Sequence, residues 1–139
     1  MKHPRISIAL IGLAVLLAAC ASENGSSTGK VIKSAAAGNL TVSLATSDAV
    51  LKKGDAAFTL SFTDSSSKPI EVGAVALTFH MPQMGTMQAM NAAATFTTTD
   101  TPGVYRGKAK IDMAGEWQAQ ITYDGPAGRG QVSFPVTAQ

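Results

Sequence analysis

The feature that most constrains this chain is an apolar period of two that recurs from residue 40 to the carboxyl end. Leu40, Val42 and Leu44 alternate with Thr41, Ser43 and Ala45; Phe58, Leu60 and Phe62 alternate with Thr59, Ser61 and Thr63. Val75, Leu77, Phe79 and Met81 alternate with Ala76, Thr78 and His80, and 104–111, 117–123 and 132–136 repeat the pattern more loosely. Such alternation sends one set of side chains to a core and the other to solvent, as a half-buried strand requires. Turn chemistry separates the runs: Lys53-Gly54-Asp55, Asp64 to Pro69, Thr101-Pro102-Gly103, Ala114-Gly115 and Asp124-Gly125-Pro126. No window carries a sustained helical period. The expectation is an all-β fold, an immunoglobulin-like β-sandwich of about seven strands. Trp117, Tyr105, Phe58, Phe62 and Phe79 are expected in its core or corners.

The amino-terminal twenty residues obey different rules. Lys2, His3 and Arg5 form a basic head, Ile6 to Leu17 is apolar and uncharged, and Ala18 and Ala19 follow. This is the layout of a cleavable secretory signal, too short to remain as a membrane span. Leu17-Ala18-Ala19-Cys20 resembles the lipobox of bacterial lipoproteins, and Cys20 is the one cysteine in the chain. The resemblance implies diacylglycerol on Cys20 with further N-acylation (palmitate among the expected chains). Two or more acyl chains hold firmly to a bilayer. Ala21 in place of Asp resembles the signal for outer-membrane transfer, facing the periplasm, in a host with two membranes. The expected division is a signal peptide over 1–19, a flexible tether over 20–38 and one domain over 39–139. The tether is small, polar and aperiodic; the alternative is that Val31 and Ile32 begin an edge strand.

Charge and cysteine usage narrow the function classes. The chain has 11 basic and 9 acidic residues; loss of Lys2 and Arg5 with the signal leaves 9 of each and a net charge of zero. No basic stripe for nucleic acid is expected. With Cys20 acylated, no thiol remains for catalysis, a disulfide or a thiolate metal site. No enzyme is expected either. His80 lies beside a Pro-terminated strand without a nucleophile elbow. Asp112, Glu116 and Asp124 read as solvated strand ends. Gly125 to Gly130 lacks the Lys-Ser/Thr of a phosphate loop and reads as a hairpin turn.

One stretch breaks the plain pattern: Phe79-His80-Met81-Pro82-Gln83-Met84-Gly85-Thr86-Met87-Gln88-Ala89-Met90. Four methionines recur at intervals of three, beside the one histidine that survives processing. Pro82 lacks an N–H and ends a central strand, so His80 and Met81 close a strand while Met84, Met87 and Met90 follow in a loop. Steps of three would smear across an α-helix but align in a 3₁₀ or polyproline-like turn, and a wrapped loop would also converge them. Thioethers with an imidazole suit Cu(I) and serve hard ions poorly. The candidate metal ligands are His80, Met81, Met84, Met87 and Met90. Two alternatives stand beside copper. Methionine fills cores, Met81 continuing the inward face of its strand, and a Met-rich loop is also a surface for docking a partner protein.

Three segments resemble the YtkA-like/FixH-like family of small exported domains: Met81-Pro82-Gln83-Met84-Gly85, Pro102-Gly103-Val104-Tyr105-Arg106-Gly107 and Met113-Ala114-Gly115-Glu116-Trp117. The similarity spans roughly Leu40 to Val136. It implies an immunoglobulin-like fold in the cell envelope and an association with copper handling or cytochrome oxidase assembly, hence a metal-efflux or oxidase-assembly partner. The residues carried over are Met81, Met84, Met87 and Met113. FixH-type members are held by a membrane helix, whereas this chain carries a lipobox.

Overall fold

The structure is a computed structural model, and it describes residues 29–139. The expected signal peptide, Cys20 and the first part of the expected tether lie outside the described residues. Nine strands are formed among the described residues: β1 (Lys30–Ala37), β2 (Leu40–Thr46), β3 (Gly54–Thr63), β4 (Ala74–Met81), β5 (Met90–Ala93), β6 (Thr95–Thr98), β7 (Val104–Ile111), β8 (Gly115–Gly125) and β9 (Gly128–Ala138). They make two antiparallel sheets, one ordered β1-β2-β3-β7-β6 and the other β5-β4-β8-β9. The all-β sandwich expectation holds.

Alternation does what the sequence requires of it. Val42, Leu44, Phe58, Leu60 and Phe62 of the first sheet meet Leu77, Phe79, Trp117, Ile121 and Phe134 of the second in one core. Aromatic edges pack into faces there: Phe58 lies 5.6 Å from Phe79 across the sheets, and Phe62 lies 5.4 Å from Tyr123, spacings that favour edge-to-face contact. The carboxyl end is fastened by backbone bonds, Gln139 N to Leu51 O and Lys53 N to Gln139 O. Among the described residues, the strands and the core fall between residues 30 and 138.

Two departures from expectation have physical causes. Residues 30–37, expected within the tether, form β1 and pair with β2 from Lys30↔Thr46 to Ala37↔Leu40. A bulge between Val31 and Lys33 shifts the register, which erases the period of two. The strand count exceeds seven partly for this reason. The remainder comes from residues 90–98, a strand that serves both sheets: β5 pairs with β4, and β6 pairs with β7. Ala94 is the switch, its N–H donating to the Leu77 carbonyl at 2.9 Å.

Candidate functional site

The methionine segment is a hairpin. β4 ends at Met81, before Pro82 as expected, and β5 begins at Met90, which therefore lies in a strand and not in the loop. Met81 and Met90 are register partners, and so are His80 and Asn91. Further out, Met84 and Met87 form an isolated bridge. They exchange both backbone hydrogen bonds, Met87 N to Met84 O at 2.9 Å and Met84 N to Met87 O at 3.2 Å. Gly85 and Thr86 make the tip. Gly85 has φ +57°, the left-handed value that two-residue hairpin turns demand at their first central position.

This geometry sorts the methionines into two pairs. Met81 is 2% exposed, part of the core, and its Cε methyl lies close over Gly115, which has φ +136° and no side chain to oppose it. Met90 is half-buried against the same core. Met84 and Met87 are 54% and 42% exposed. Residues directly opposite in an antiparallel pair carry side chains on one face, with Cβ atoms about 5 Å apart. The outer two thioethers are therefore neighbours at an accessible tip, and the inner two belong to the sandwich.

His80 stands on the outward face of β4. Its Nδ1 lies 2.7 Å from Asn91 Oδ1, a cross-strand bond in which the ring N–H donates to the amide oxygen. The ring is thus oriented from the side of β5, one residue behind Met81. Met113 is half-buried beside the core, and its carbonyl accepts the Trp117 indole N–H at 3.0 Å. Among the described residues, no group of three or more His, Cys, Asp or Glu is arranged to hold a metal ion. Sulfur donors at the hairpin tip are the remaining candidates.

The other two sequence motifs brace this hairpin's sheet and its neighbour. Gly103 has φ +80°, and a Cβ there would come within 2.3 Å of the Ile70 carbonyl oxygen. Its own carbonyl accepts from Phe62 N at 2.9 Å, so the turn packs flat on the β3–β4 connection. Gly107 leaves room for the Phe58 and Phe96 rings. Tyr105 points inward with its hydroxyl 2.7 Å from Glu71 Oε1 and 3.1 Å from the Gly73 carbonyl. Burial, and then the Glu71 carboxylate it donates to, push the phenol up to about 12. The same bond, together with the Gly73 amide, holds the Glu71 carboxyl below its ordinary range.

One feature runs against the expectation that no basic stripe exists. Arg106, Lys108 and Lys110 alternate with buried residues along β7, so all three project from the outer face of the first sheet. The signal was legible: cations at i, i+2 and i+4 of a strand share a face. A net charge summed over the chain hides it.

A small two-sheet sandwich, with one long Met-bearing hairpin and motif glycines at its tight turns, defines the class. The profile of the YtkA-like family matches residues 34–122, more than half of the chain, and the chain belongs to that family. The match runs from within β1 to within β8 and leaves β9 outside, short of the Val136 limit expected from the motifs. No curated protein matches the chain, and no solved structure does.

Proposed function

We propose that this chain is a lipid-anchored cell-envelope domain that binds monovalent copper as cargo at the tip of the β4–β5 hairpin, for copper handling or oxidase assembly. The observation that carries the reading is the pairing of Met84 with Met87, two exposed thioethers on one face of a rigidly hydrogen-bonded tip. Thioether sulfur is a soft donor that selects Cu(I) over hard ions. Met84 and Met87 would hold the ion, leaving its remaining coordination open to a partner's donors. Met81 and Met90 would set the hairpin on the sandwich. The activity is binding and ligand exchange, not catalysis, and Ag(I) is expected to compete.

The anchor at Cys20 would keep the domain at a membrane and raise its local concentration near a metal-efflux or oxidase-assembly partner. Anaerobic competition between the folded domain and a colorimetric Cu(I) chelator tests the metal reading. The unmodified domain should withdraw copper from the chelator, and Met84→Leu/Met87→Leu should not. Equal competition by both overturns it.

A second reading has its own observation. Residues 82–89 are all exposed and contain no charged side chain, as suits an adaptable apolar surface for a protein partner. In that case the Leu variant keeps partner binding, because shape and apolarity survive the loss of sulfur.

A further inference from the structure

We infer that the outer face of the five-stranded sheet is a docking surface for an anionic lipid bilayer. Arg106, Lys108 and Lys110 occupy successive outward positions on β7, about 7 Å apart along the strand. The ion pairs among the described residues are Lys52 with Asp48 and Arg129 with Asp124, and neither uses these three cations. One acid shares the face, Asp55, opposite Lys110. Beside the cations lies an open groove of about 590 Å³, lined by Ala45, Ala57, Thr59, Thr95, Arg106 and Lys108. Small side chains on β2 and β3 form its floor, and hydroxyls stand next to the two charged groups. Phosphodiester headgroups need that combination: cations for their charge, hydroxyl donors for their oxygens and no bulk in the way.

The lipid surface is favoured over an acidic protein by where the chain enters. One row crosses the sheet through the register partners Val31, Ala45, Thr59, Arg106 and Thr97. Val31, at the end of this row, is 54% exposed and lies two residues after Gly29. Eight residues lie between Cys20 and Gly29, a contour of at most about 30 Å. An acyl anchor on Cys20 would hold this face within reach of headgroups. The opposite sheet presents Ala76, Thr78, Gln118, Gln120, Thr122 and Ser133 outward along its middle, with Glu116 at one end and Asp124, paired with Arg129, at the other. The domain thus has one cationic side and one weakly acidic side, and an anionic surface would orient it.

Only the proximity of the bilayer rests on the anchored reading; the cationic face does not. The test therefore uses an unacylated chain beginning at Ala21, which keeps all nine described strands, and measures co-sedimentation with vesicles at low salt. Binding to phosphatidylcholine vesicles containing phosphatidylglycerol is expected, with none to phosphatidylcholine alone. Each Lys or Arg near such a surface contributes about a five-fold factor. Arg106→Gln/Lys108→Gln/Lys110→Gln should therefore weaken binding by about 100-fold, and 0.5 M salt should abolish it. A control that removes three other cations, Lys33→Gln/Lys68→Gln/Arg129→Gln, should lose far less. Equal loss in both variants, equal binding to neutral vesicles, or no binding to anionic vesicles overturns the inference. Acylation at Cys20, read by mass spectrometry of the membrane fraction, is a separate result and stands or falls alone.

Discussion

Met84 and Met87 face each other across the tip of the β4–β5 hairpin, joined by two backbone hydrogen bonds. The hairpin's centre lies between Gly85 and Thr86, so the same reflection that pairs Met84 with Met87 pairs Met81 with Met90. A spacing of three, repeated about that centre, gives two cross-strand pairs, not a four-sulfur line. The pairs differ in environment, one packed into and against the core and one exposed, and the proposed function rests on the exposed pair.

Stability should divide along the same line. Met81→Ala removes a fully buried side chain that packs against Gly115, and truncations of this kind cost about 2–5 kcal/mol. Met84→Ala and Met87→Ala remove exposed side chains, and each should change stability by no more than about 0.5 kcal/mol. Urea unfolding of the three single variants measures both figures.

The Tyr105–Glu71 bond predicts two pH limbs. The Tyr105 phenol is raised from 10.0 to about 12 in the folded chain, so its contribution is complete below pH 10 and is lost as pH rises toward 12. Glu71 is lowered from 4.5, so its contribution is complete above pH 4.5 and is lost as pH falls through the folded value. Tyr105→Phe should flatten both limbs. Thermal melts across pH 3 to 12 on the two proteins check this, and ultraviolet titration should lose its late phenolate component in the variant.

Gly103 cannot accept a side chain. Its φ of +80° penalises any L-residue, and a Cβ would meet the Ile70 carbonyl at 2.3 Å. Gly103→Ala should cost at least about 2 kcal/mol, read as a lower urea midpoint. Gly38→Ala is the contrast: its φ is also positive, +61°, but nothing lies within 4 Å of the added carbon. It should cost less than Gly103→Ala by the amount of the collision.

The sequence made six of the strands legible, because β2, β3, β4, β7, β8 and β9 each carry apolar and polar residues in alternation. β1 was legible only as the alternative to a tether, an edge strand beginning at Val31 and Ile32, because the Val31/Lys33 bulge breaks its period and its alanines offer no contrast between faces. β5 and β6 escaped for a related reason. Met90, Ala92, Ala94 and Phe96 do alternate toward the core, but Ala93 on the outward side is as apolar as its neighbours. In the methionine segment, Pro82 marked the strand end that the structure shows. The reflection about Gly85 and Thr86 was not legible, since a period of three has several three-dimensional solutions. The inward place of Met81 could be read from the alternation of its own strand; the pairing of Met84 with Met87 could not.

On the proposed reading, copper meets Met84 and Met87 while Met81 and Met113 serve the fold. Methionine ε-methyl groups labelled with ¹³C, followed by NMR as Cu(I) is added anaerobically to the folded domain, test it most directly. The Met84 and Met87 methyl signals should shift together, saturating with one ion, while those of Met81 and Met113 hold their positions. Unmoved signals at Met84 and Met87, or a shift that begins at Met81, would contradict it.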